Sequence, residues 1–247
     1  MNISVCMATY NGSSFIYKQI VSILDQLAID DELIIVDDCS LDTTLDIVSS
    51  IIDNRIVVFK NDVNVGVNQS FSRAILAAKG DYIFLSDQDD IWIEGRVRLM
   101  IDYLNKNNVY LLTSNFSWIN EFDIPVVVHF DGVSSLRSRN YFGNIWDIFV
   151  GKTNYFGCAM LFRREMKAYI VPIPNFVESH DLWIAKIGNL LGSQVHLDNI
   201  TFLKRIHRSN MTSTSSNRRL FAKIYSRYIF LKSLIYILLR RLIFINS

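Results

Sequence analysis

The first 92 residues alternate short apolar runs with segments of helical spacing, and this alternation limits the possible folds. The apolar runs are rich in Ile, Val, Leu and Phe, as in strands buried on both faces of a sheet; they span residues 2–9, 32–37, 55–60 and 81–86. The segments between them carry apolar residues three and four positions apart, at 14–28, 42–52 and 67–78. This order predicts an α/β fold with a mostly parallel sheet flanked by helices.

Polar residues follow three of the predicted strands. They occupy positions 9–12 after the first strand, 37–40 after the second and 86–90 after the fourth. Ligands of parallel sheets bind beyond the carboxyl ends of the strands. The sequence therefore predicts one cleft where these three segments converge. Tyr10 would offer it a flat aromatic face for a nucleotide base.

The alternation loosens after residue 94. We predict a helix to about residue 106, a strand at 109–116, an irregular stretch at 120–154, a strand at 158–162 and a helix at about 181–191. A polar stretch at 209–217, rich in Ser and Thr, marks the end of a compact domain. The sequence thus predicts one domain over residues 1–211, with halves at 1–115 and 116–211, followed by a tail at 212–247.

Charge is distributed unevenly, although the formal net charge is only +1. Residues 204–247 hold ten Lys or Arg and no acidic residue, which leaves −9 for residues 1–203. In the tail, basic residues alternate with bulky apolar ones, a pattern typical of a helix lying in a membrane interface. An amphipathic helix docked on the domain or completing a dimer is the alternative. This interleaving and the acidic body disfavour nucleic-acid binding.

The chain carries no sequence signal for export. Residues 1–12 lack the basic leader and long apolar stretch of a signal peptide. Cys6, Cys39 and Cys158 form neither a paired disulfide framework nor a CxxC pattern, so reduced thiols are expected. The longest uncharged run in the basic part of the tail, residues 233–239, is too short to span a bilayer. We therefore expect a cytoplasmic protein, peripheral at the inner face of the cell membrane.

Asp87, Asp89 and Asp90 concentrate three carboxylates at the end of the fourth predicted strand. Their mutual repulsion is costly unless a divalent cation that prefers oxygen ligands neutralises them. A solvated acidic turn that caps the next helix is the alternative. Asp37 and Asp38 either cap the second helix or direct one carboxylate towards a ribose hydroxyl or a base N–H.

Five motifs in chain order resemble those of the inverting nucleotide-sugar glycosyltransferases of family 2, which have the Rossmann-like GT-A fold. They read Ala8-Thr9-Tyr10-Asn11-Gly12, Val36-Asp37-Asp38-Cys39-Ser40 with Asp42 and Thr43, Asn64-Val65-Gly66, Ala78-Lys79-Gly80-Asp81, and Ser86-Asp87-Gln88-Asp89-Asp90-Ile91-Trp92. The resemblance implies that Ala8, Tyr10 and Asp38 bind the donor nucleotide, with the base on Tyr10 and Asp38. It implies Asp87 as a contact of the ribose or the metal, and Asp89 as a ligand of the Mn²⁺ or Mg²⁺ that bridges the two phosphates.

The resemblance continues more thinly in the second half, through Gly157-Cys158-Ala159-Met160, Glu178-Ser179-His180-Asp181-Leu182-Trp183 and Arg205-Ile206-His207-Arg208-Ser209-Asn210. It implies a nucleotide-sugar half at 1–115 and an acceptor half at 116–211. Asp181 matches the general base that takes the proton of the acceptor hydroxyl. Glu178 and His180 are alternatives, and Asp181 is also a candidate N-cap of the helix ahead of Leu182.

The Arg205-x-His207 element is implied to lie at the metal and the diphosphate. His207 would contact either of them, and Arg205 would add positive charge there. Two residues depart from the commonest family pattern, because Leu203 and Lys204 precede Arg205 where an aromatic residue is frequent.

The sequence as a whole predicts an inverting glycosyltransferase that moves one sugar from a dTDP- or UDP-sugar to a lipid-linked glycan of a cell-surface polysaccharide such as O-antigen or capsule. The variant at 86–92 resembles bacterial enzymes that add rhamnose, or galactose or glucose. An inactive relative that binds glycan or nucleotide as an assembly partner is the alternative, disfavoured by intact Asp87, Asp89 and Asp181. A nucleotidyltransferase would need a Gly-rich basic loop in place of residues 10–14.

Overall fold

The computed structural model describes residues 2–153, 155–207 and 220–245. The strands are β1 (Ile3–Thr9), β2 (Glu32–Asp37), β3 (Ile56–Lys60), β4 (Tyr82–Ser86), β5 (Ile91–Trp92), β6 (Leu111–Ile119), β7 (Pro125–Val126), β8 (Met160–Arg163) and β9 (Gln194–Arg205). The helices are α1 (Ile16–Leu24), α2 (Thr44–Ser50), α3 (Val67–Ala77), α4 (Arg96–Asn107), α5 (Tyr141–Val150), α6 (Lys167–Ile170), α7 (His180–Leu190) and α8 (Leu220–Ile245). The predicted linker at 209–217 lies outside the described residues, as does the Arg208-Ser209-Asn210 end of the last motif.

Within the described residues, the nine strands form one sheet in the order β3-β2-β1-β4-β8-β6-β9-β5, with β7 paired to β6. Strands β1 to β4 are parallel, which confirms the prediction of a mostly parallel sheet. The short β8 is antiparallel to both β4 and β6, while β6 and β9 are parallel. The fold is therefore α/β with a mostly parallel sheet, and the carboxyl ends of β1, β2 and β4 share one edge.

Successive residues of β1 enter two different hydrophobic cores, one on each face of the sheet. Val5 and Met7 join the core that contains the buried faces of α1 and α4. Cys6, between them, joins the core that contains α3 and α7. Burial on both faces explains why β1, β2 and β4 read as continuous apolar runs instead of alternating patterns. The three cysteines are free, as predicted.

Two expectations about secondary structure are wrong. The 55–60 strand is not buried on both faces, because β3 is the outermost strand and Val57 and Val58 are exposed. The stretch at 120–154 is not irregular throughout, since it contains β7 and the ten-residue helix α5. Asn140 caps that helix by accepting a hydrogen bond from Gly143 N, and Gly151 ends it in the left-handed conformation.

The amphipathic tail helix is present as α8, and one of its faces packs on the domain. Buried residues recur at helical spacing along this face: Ser226, Ile229, Phe230, Ser233 and Ile237. They contact α6 and α7. The other face exposes a row of large apolar side chains, including Tyr228, Leu231, Ile235, Leu238 and Leu242. No helix within residues 2–153, 155–207 and 220–245 has the length and apolar character required to cross a bilayer.

Candidate active site

Gln88 joins the end of β1 to the acidic segment that follows β4. Its Oε1 accepts hydrogen bonds from Thr9 Oγ1 at 2.5 Å and from Tyr10 N at 2.9 Å, and its Nε2 donates to Tyr10 O at 3.1 Å. Gly12 leaves room for this side chain, because a Cβ at that position would lie 2.3 Å from Gln88 Oε1. Two of the predicted strand ends therefore converge, through a residue to which the sequence analysis gave no role.

The three residues predicted to bind the nucleotide lie along this edge in different environments. Tyr10 is 43% exposed, and Ala8 is partly buried within β1. Asp38 is buried, and its carboxylate accepts hydrogen bonds from Asn61 Nδ2, Val65 N and Gly66 N, at 2.8 to 2.9 Å. Asp38 thus fixes the loop that leads into α3, and its contact with a base stays a prediction.

Asp89 and His207 form a close pair although they are 118 residues apart in sequence. Asp89 Oδ2 lies 2.7 Å from His207 Nε2, and both side chains are mostly buried. The His207 ring packs against Phe15, just before α1, at 4.8 Å between centroids. A carboxylate oxygen and an imidazole nitrogen are suitable ligands for Mn²⁺, and a carboxylate is suitable for Mg²⁺. The donor set therefore fits the implied metal.

Asp87 belongs to a second cluster, which is built around the ammonium group of Lys204. Lys204 Nζ lies 2.9 Å from Asp87 Oδ2, 3.8 Å from Asp90 Oδ2 and 3.4 Å from Cys158 Sγ. Burial alone would raise the pKa of Asp87, but the ammonium group outweighs it and holds that pKa below its usual range. Burial raises the pKa of Asp90 to about 7. The predicted role of Asp87 at the ribose or metal stays a prediction.

Arg205 lies behind the acidic segment and is almost completely buried. Its Nε donates to Asp89 O at 2.8 Å, and one guanidinium nitrogen donates to Asn120 O at 2.9 Å. Its backbone N donates to Asp90 Oδ1 at 3.0 Å. These contacts position the segment that carries the carboxylates, and the predicted contact of Arg205 with a diphosphate stays a prediction.

Asp181 lies in the first turn of α7 with its side chain 22% exposed. The alternative that it caps the helix is wrong, because Ser179 is the N-cap and accepts a hydrogen bond from Leu182 N. Asp181 Oδ1 lies 2.6 Å from His180 Nε2. Gly157 lies so close to this pair that a Cβ there would be 2.7 Å from Asp181 Oδ1. The next residue, Cys158, contacts Lys204, which pairs with Asp87 and Asp90. The consecutive residues Gly157 and Cys158 therefore lie next to Asp181 and next to the Lys204 cluster, respectively.

The imidazole of His180 has a higher pKa than that of an isolated histidine. Burial alone would lower its pKa, but the Asp181 carboxylate outweighs burial and raises the pKa above its usual value. The folded protein thus holds this proton more strongly than the unfolded chain. The resulting stabilisation is complete below the ordinary histidine pKa of about 6.5, and it is lost as pH rises through the raised value.

The two alternatives to Asp181 as the base differ in exposure, because Glu178 is exposed and His180 is buried. Glu178 accepts a hydrogen bond from Ser226 and so holds α8 against the domain. His180 is buried, stacks on Phe71 at 4.2 Å between centroids and has Asn68 Oδ1 3.3 Å from its Nδ1. Asp181 is the more exposed of the His180–Asp181 pair.

An open groove of about 410 Å³ lies along β6 and the segment that follows it. Its floor is aromatic, because Phe116 packs within 5.1 to 5.4 Å of the rings of Trp118, Phe130 and Phe156. Asn115, Ser117 and Asp198 add polar groups to its lining. The Phe156 ring, which packs against Phe116 but does not itself line the groove, lies 5.3 Å from Lys204 Nζ.

The chain has a fold similar to that of solved structures of another bacterial protein. Staphylococcus aureus TarS 1-349 has a TM-score of 0.64 at 20% identity, over 83% of this chain and 60% of that chain. Its complex with UDP-GlcNAc has a TM-score of 0.67 at 19% identity, over 97% of this chain and 72% of that chain. This chain thus spans about 60% of the first TarS structure. The fold is that of the GT-A glycosyltransferases.

Sequence comparisons agree with this class. The family model described as "Glycosyl transferase family 2" matches residues 4–169. The Escherichia coli protein "UDP-Glc:alpha-D-GlcNAc-diphosphoundecaprenol beta-1,3-glucosyltransferase WfaP" is 29% identical over 87% of this chain and 80% of its own length. The Shigella flexneri "dTDP-rhamnosyl transferase RfbG" is 28% identical over 85% of this chain and 74% of its own length. The chain belongs to glycosyl transferase family 2, and it is a glycosyltransferase.

Proposed function

We propose that this glycosyltransferase moves one hexose from a UDP- or dTDP-linked donor to a hydroxyl of a lipid-linked glycan in polysaccharide synthesis, with inversion at the anomeric carbon. The observation that supports this proposal is the Asp89–His207 pair at 2.7 Å, together with the carboxylate of Asp181 on a different element, α7. The segment at 86–92 favours rhamnose. Glucose, the sugar named for the relative WfaP, is the alternative. An inactive assembly partner would have no need of this pair and this carboxylate together.

Different residues would bind the donor, accept the proton and hold the metal in an inverting transfer. Tyr10 and Asp38 would hold the donor nucleotide, and Asp87, with a third of its side chain exposed, would contact the ribose. Asp181 would accept the proton of the acceptor hydroxyl as its oxygen attacks the anomeric carbon. A divalent Mn²⁺ or Mg²⁺ ion held by Asp89 and His207 would stabilise the charge on the departing diphosphate.

The test is a donor panel with purified protein, Mn²⁺ and a GlcNAc-diphospholipid acceptor. UDP-glucose, UDP-galactose and dTDP-rhamnose are compared by release of nucleotide diphosphate, with and without chelator. We expect one donor to release nucleotide diphosphate, and the chelator to stop this release. The anomeric configuration of the sugar in the product should be opposite to its configuration in the donor. Absence of release, together with absence of nucleotide binding, would contradict the proposal and favour the inactive relative.

We further propose that the aromatic groove holds a sugar ring of the acceptor. Its volume and its mixture of ring faces with a few polar groups suit a small polar ligand that has apolar faces. Trp118→Ala is expected to raise the acceptor KM about tenfold, equal to about 1.4 kcal/mol, with the donor KM unchanged. Trp146→Ala is the matched control, because Trp146 is exposed on α5 outside the groove. Equal acceptor KM values for the two variants would place the acceptor elsewhere.

We also propose that the exposed face of α8 binds anionic membrane. Exposed basic residues flank the apolar row of this face, namely Lys223, Lys232, which also lies over the Phe176 ring at 4.4 Å, and Arg241, which also donates a hydrogen bond to Leu190 O. Each basic group near an anionic surface contributes about 1 kcal/mol. The opposite face is already buried on α6 and α7, so the helix would present its free face to lipid while it remains docked. This position would bring the active site to a lipid-linked acceptor and make the protein peripheral at the cytoplasmic side.

The membrane proposal is tested with substitutions on that exposed face. Leu231→Gln combined with Ile235→Gln is expected to weaken binding to vesicles containing anionic lipid about 100-fold, since each buried side chain contributes about 1.5 kcal/mol or more. Ile29→Gln combined with Ile52→Gln is the control, because both residues are exposed on the domain. Equal flotation of the two variants would contradict membrane binding by α8.

A further inference from the structure

Lys204 is a buried cation in the position where the sequence departs from the family's frequent aromatic residue. Its side chain is only 6% exposed, and its ammonium group lies among Asp87, Asp90 and Cys158. We propose that Lys204 is a positioning residue that acts as a tethered cation, which keeps Asp87 and Asp90 from binding metal and confines the divalent ion to Asp89 and His207. This inference rests on the metal site of the proposed function.

The cluster around Lys204 has the spacing of a metal site. Ligand atoms of Asp87, Asp90 and Cys158 lie within 4.8 Å of one another. The Lys204 ammonium lies 2.9, 3.8 and 3.4 Å from atoms of these same residues, so it occupies the place that a cation would take. A second positive charge in this space would meet direct repulsion from the ammonium group.

The backbone and a neighbouring ring hold Lys204 in this place. Lys204 is paired with Trp118 in the β6–β9 ladder, which fixes its Cα at the end of the sheet. Its Nζ lies 5.3 Å from the centroid of Phe156, a distance suitable for a cation–π contact. Burial alone would lower the pKa of Lys204, but the carboxylates, chiefly Asp87, raise it well above its usual range. The side chain is therefore charged and held in position.

Asp89 is directed differently from the other two carboxylates. It pairs with His207 and has its backbone oxygen held by Arg205, whereas Lys204 pairs with Asp87 and Asp90. In this proposal, Asp87 and Asp90 bind the ammonium group of Lys204, and Asp89 binds the divalent ion taken from solution. One divalent ion per active site follows from this division.

The test counts Mn²⁺ ions bound in the absence of any sugar donor, by electron paramagnetic resonance of the free ion. The wild type is expected to bind one Mn²⁺. Lys204→Met is expected either to bind a second ion or to bind Mn²⁺ at least about tenfold tighter, whereas Lys204→Arg should behave as the wild type. Lys186→Met is the matched control, because it removes another buried ammonium group, over the Phe230 ring, and should leave Mn²⁺ binding unchanged.

A second pair of variants tests the same division in case Lys204→Met fails to fold. Asp90→Asn keeps the acceptor for Arg205 N but removes the charge, and it should leave the Mn²⁺ affinity within about twofold. Asp89→Ala should weaken that affinity at least about tenfold. Equal weakening by both variants would make Asp90 a ligand and overturn the proposal. A folded Lys204→Met protein with the stoichiometry and affinity of the wild type would also overturn it.

These outcomes are separate from those of the proposed function. A wild type that binds no Mn²⁺ would contradict the metal site at Asp89 and His207, whatever sugar the enzyme transfers. Binding by Lys204→Met alone would then support exclusion of metal by Lys204 and overturn confinement of the ion to Asp89 and His207. Binding by neither protein would overturn both inferences.

Discussion

Replacement of Asp181 by asparagine is expected to lower kcat for sugar transfer about 10³-fold, which corresponds to about 4 kcal/mol of transition-state stabilisation. Asparagine keeps the shape of the side chain beside Gly157 but cannot accept the proton of the acceptor hydroxyl. Nucleotide binding in the presence of Mn²⁺ should be unchanged, because Asp181 lies on α7 and not on the β1, β2 or β4 ends. Steady-state kinetics and calorimetry of nucleotide binding provide the two measurements.

The matched control for this variant is Asp46→Asn. Asp46 also lies in the first turn of a helix, α2, and is exposed, so its replacement makes the same chemical change in the first turn of another helix. Near-normal kcat for Asp181→Asn would assign the base to another group. Glu178→Gln would then be the next variant, because glutamine can still accept the hydrogen bond from Ser226 and removes only the carboxylate charge.

Removal of the Asp89 carboxylate is expected to impair both metal-dependent nucleotide binding and transfer. Asp89→Ala should weaken Mn²⁺-dependent nucleotide binding about 10- to 100-fold and lower kcat/KM by at least about 10²-fold, because it deletes a proposed metal ligand and removes the carboxylate that lies 2.7 Å from His207 Nε2. His207→Ala should act on the same ion, so the double variant should be little worse than either single variant.

The control for the metal variants is Asp102→Ala, which removes a carboxylate from an exposed i,i+4 pair with Arg98 on α4. Such surface pairs contribute at most about 1 kcal/mol to stability, so activity and nucleotide binding should not change. Chelator-sensitive transfer by Asp89→Ala at the wild-type rate would show that the ion binds elsewhere. The cluster of Asp87, Asp90 and Cys158 would then be the first place to examine.

The parallel half of the fold could be predicted because its signals are local. Each apolar run in β1, β2 and β4 is buried on both faces, so every residue of the run reports the same environment. The polar segments after these strands also had to converge once the strands were parallel. The outer strand β3 shows the limit of such reasoning, since its sequence is as apolar as its neighbours and only the sheet order reveals that one side is open.

The second half was less predictable because its structure depends on distant partners. Strand β9 could not be predicted from its sequence, because its buried Gln194, His196 and Arg205 are polar residues that are typical of an exposed segment. Tyr155 Oη lies 3.0 Å from His196 Nε2, and Asp89 and Asp90 accept hydrogen bonds from Arg205; these polar contacts make such burial possible.

The candidate site was predicted unevenly for the same reason. The motifs indicated Asp89, Asp181 and His207, yet the pairing of His207 with Asp89 depends on the register of β9 against β6 and β5. The role of Lys204 could not be read from its neighbours in sequence, because its carboxylate partners are more than 110 positions away. The departure from an aromatic residue at this position was the one available signal.

The groove along β6 has a consequence for how such enzymes diversify. Its floor belongs to the sheet, but much of its wall comes from residues 127–133, which lie outside any strand or helix. Loops of this kind accept insertions and substitutions more readily than the elements they connect. With the acceptor sugar in this groove, as proposed above, substitutions in one surface loop would change which glycan is bound and would leave the residues at the strand ends unchanged.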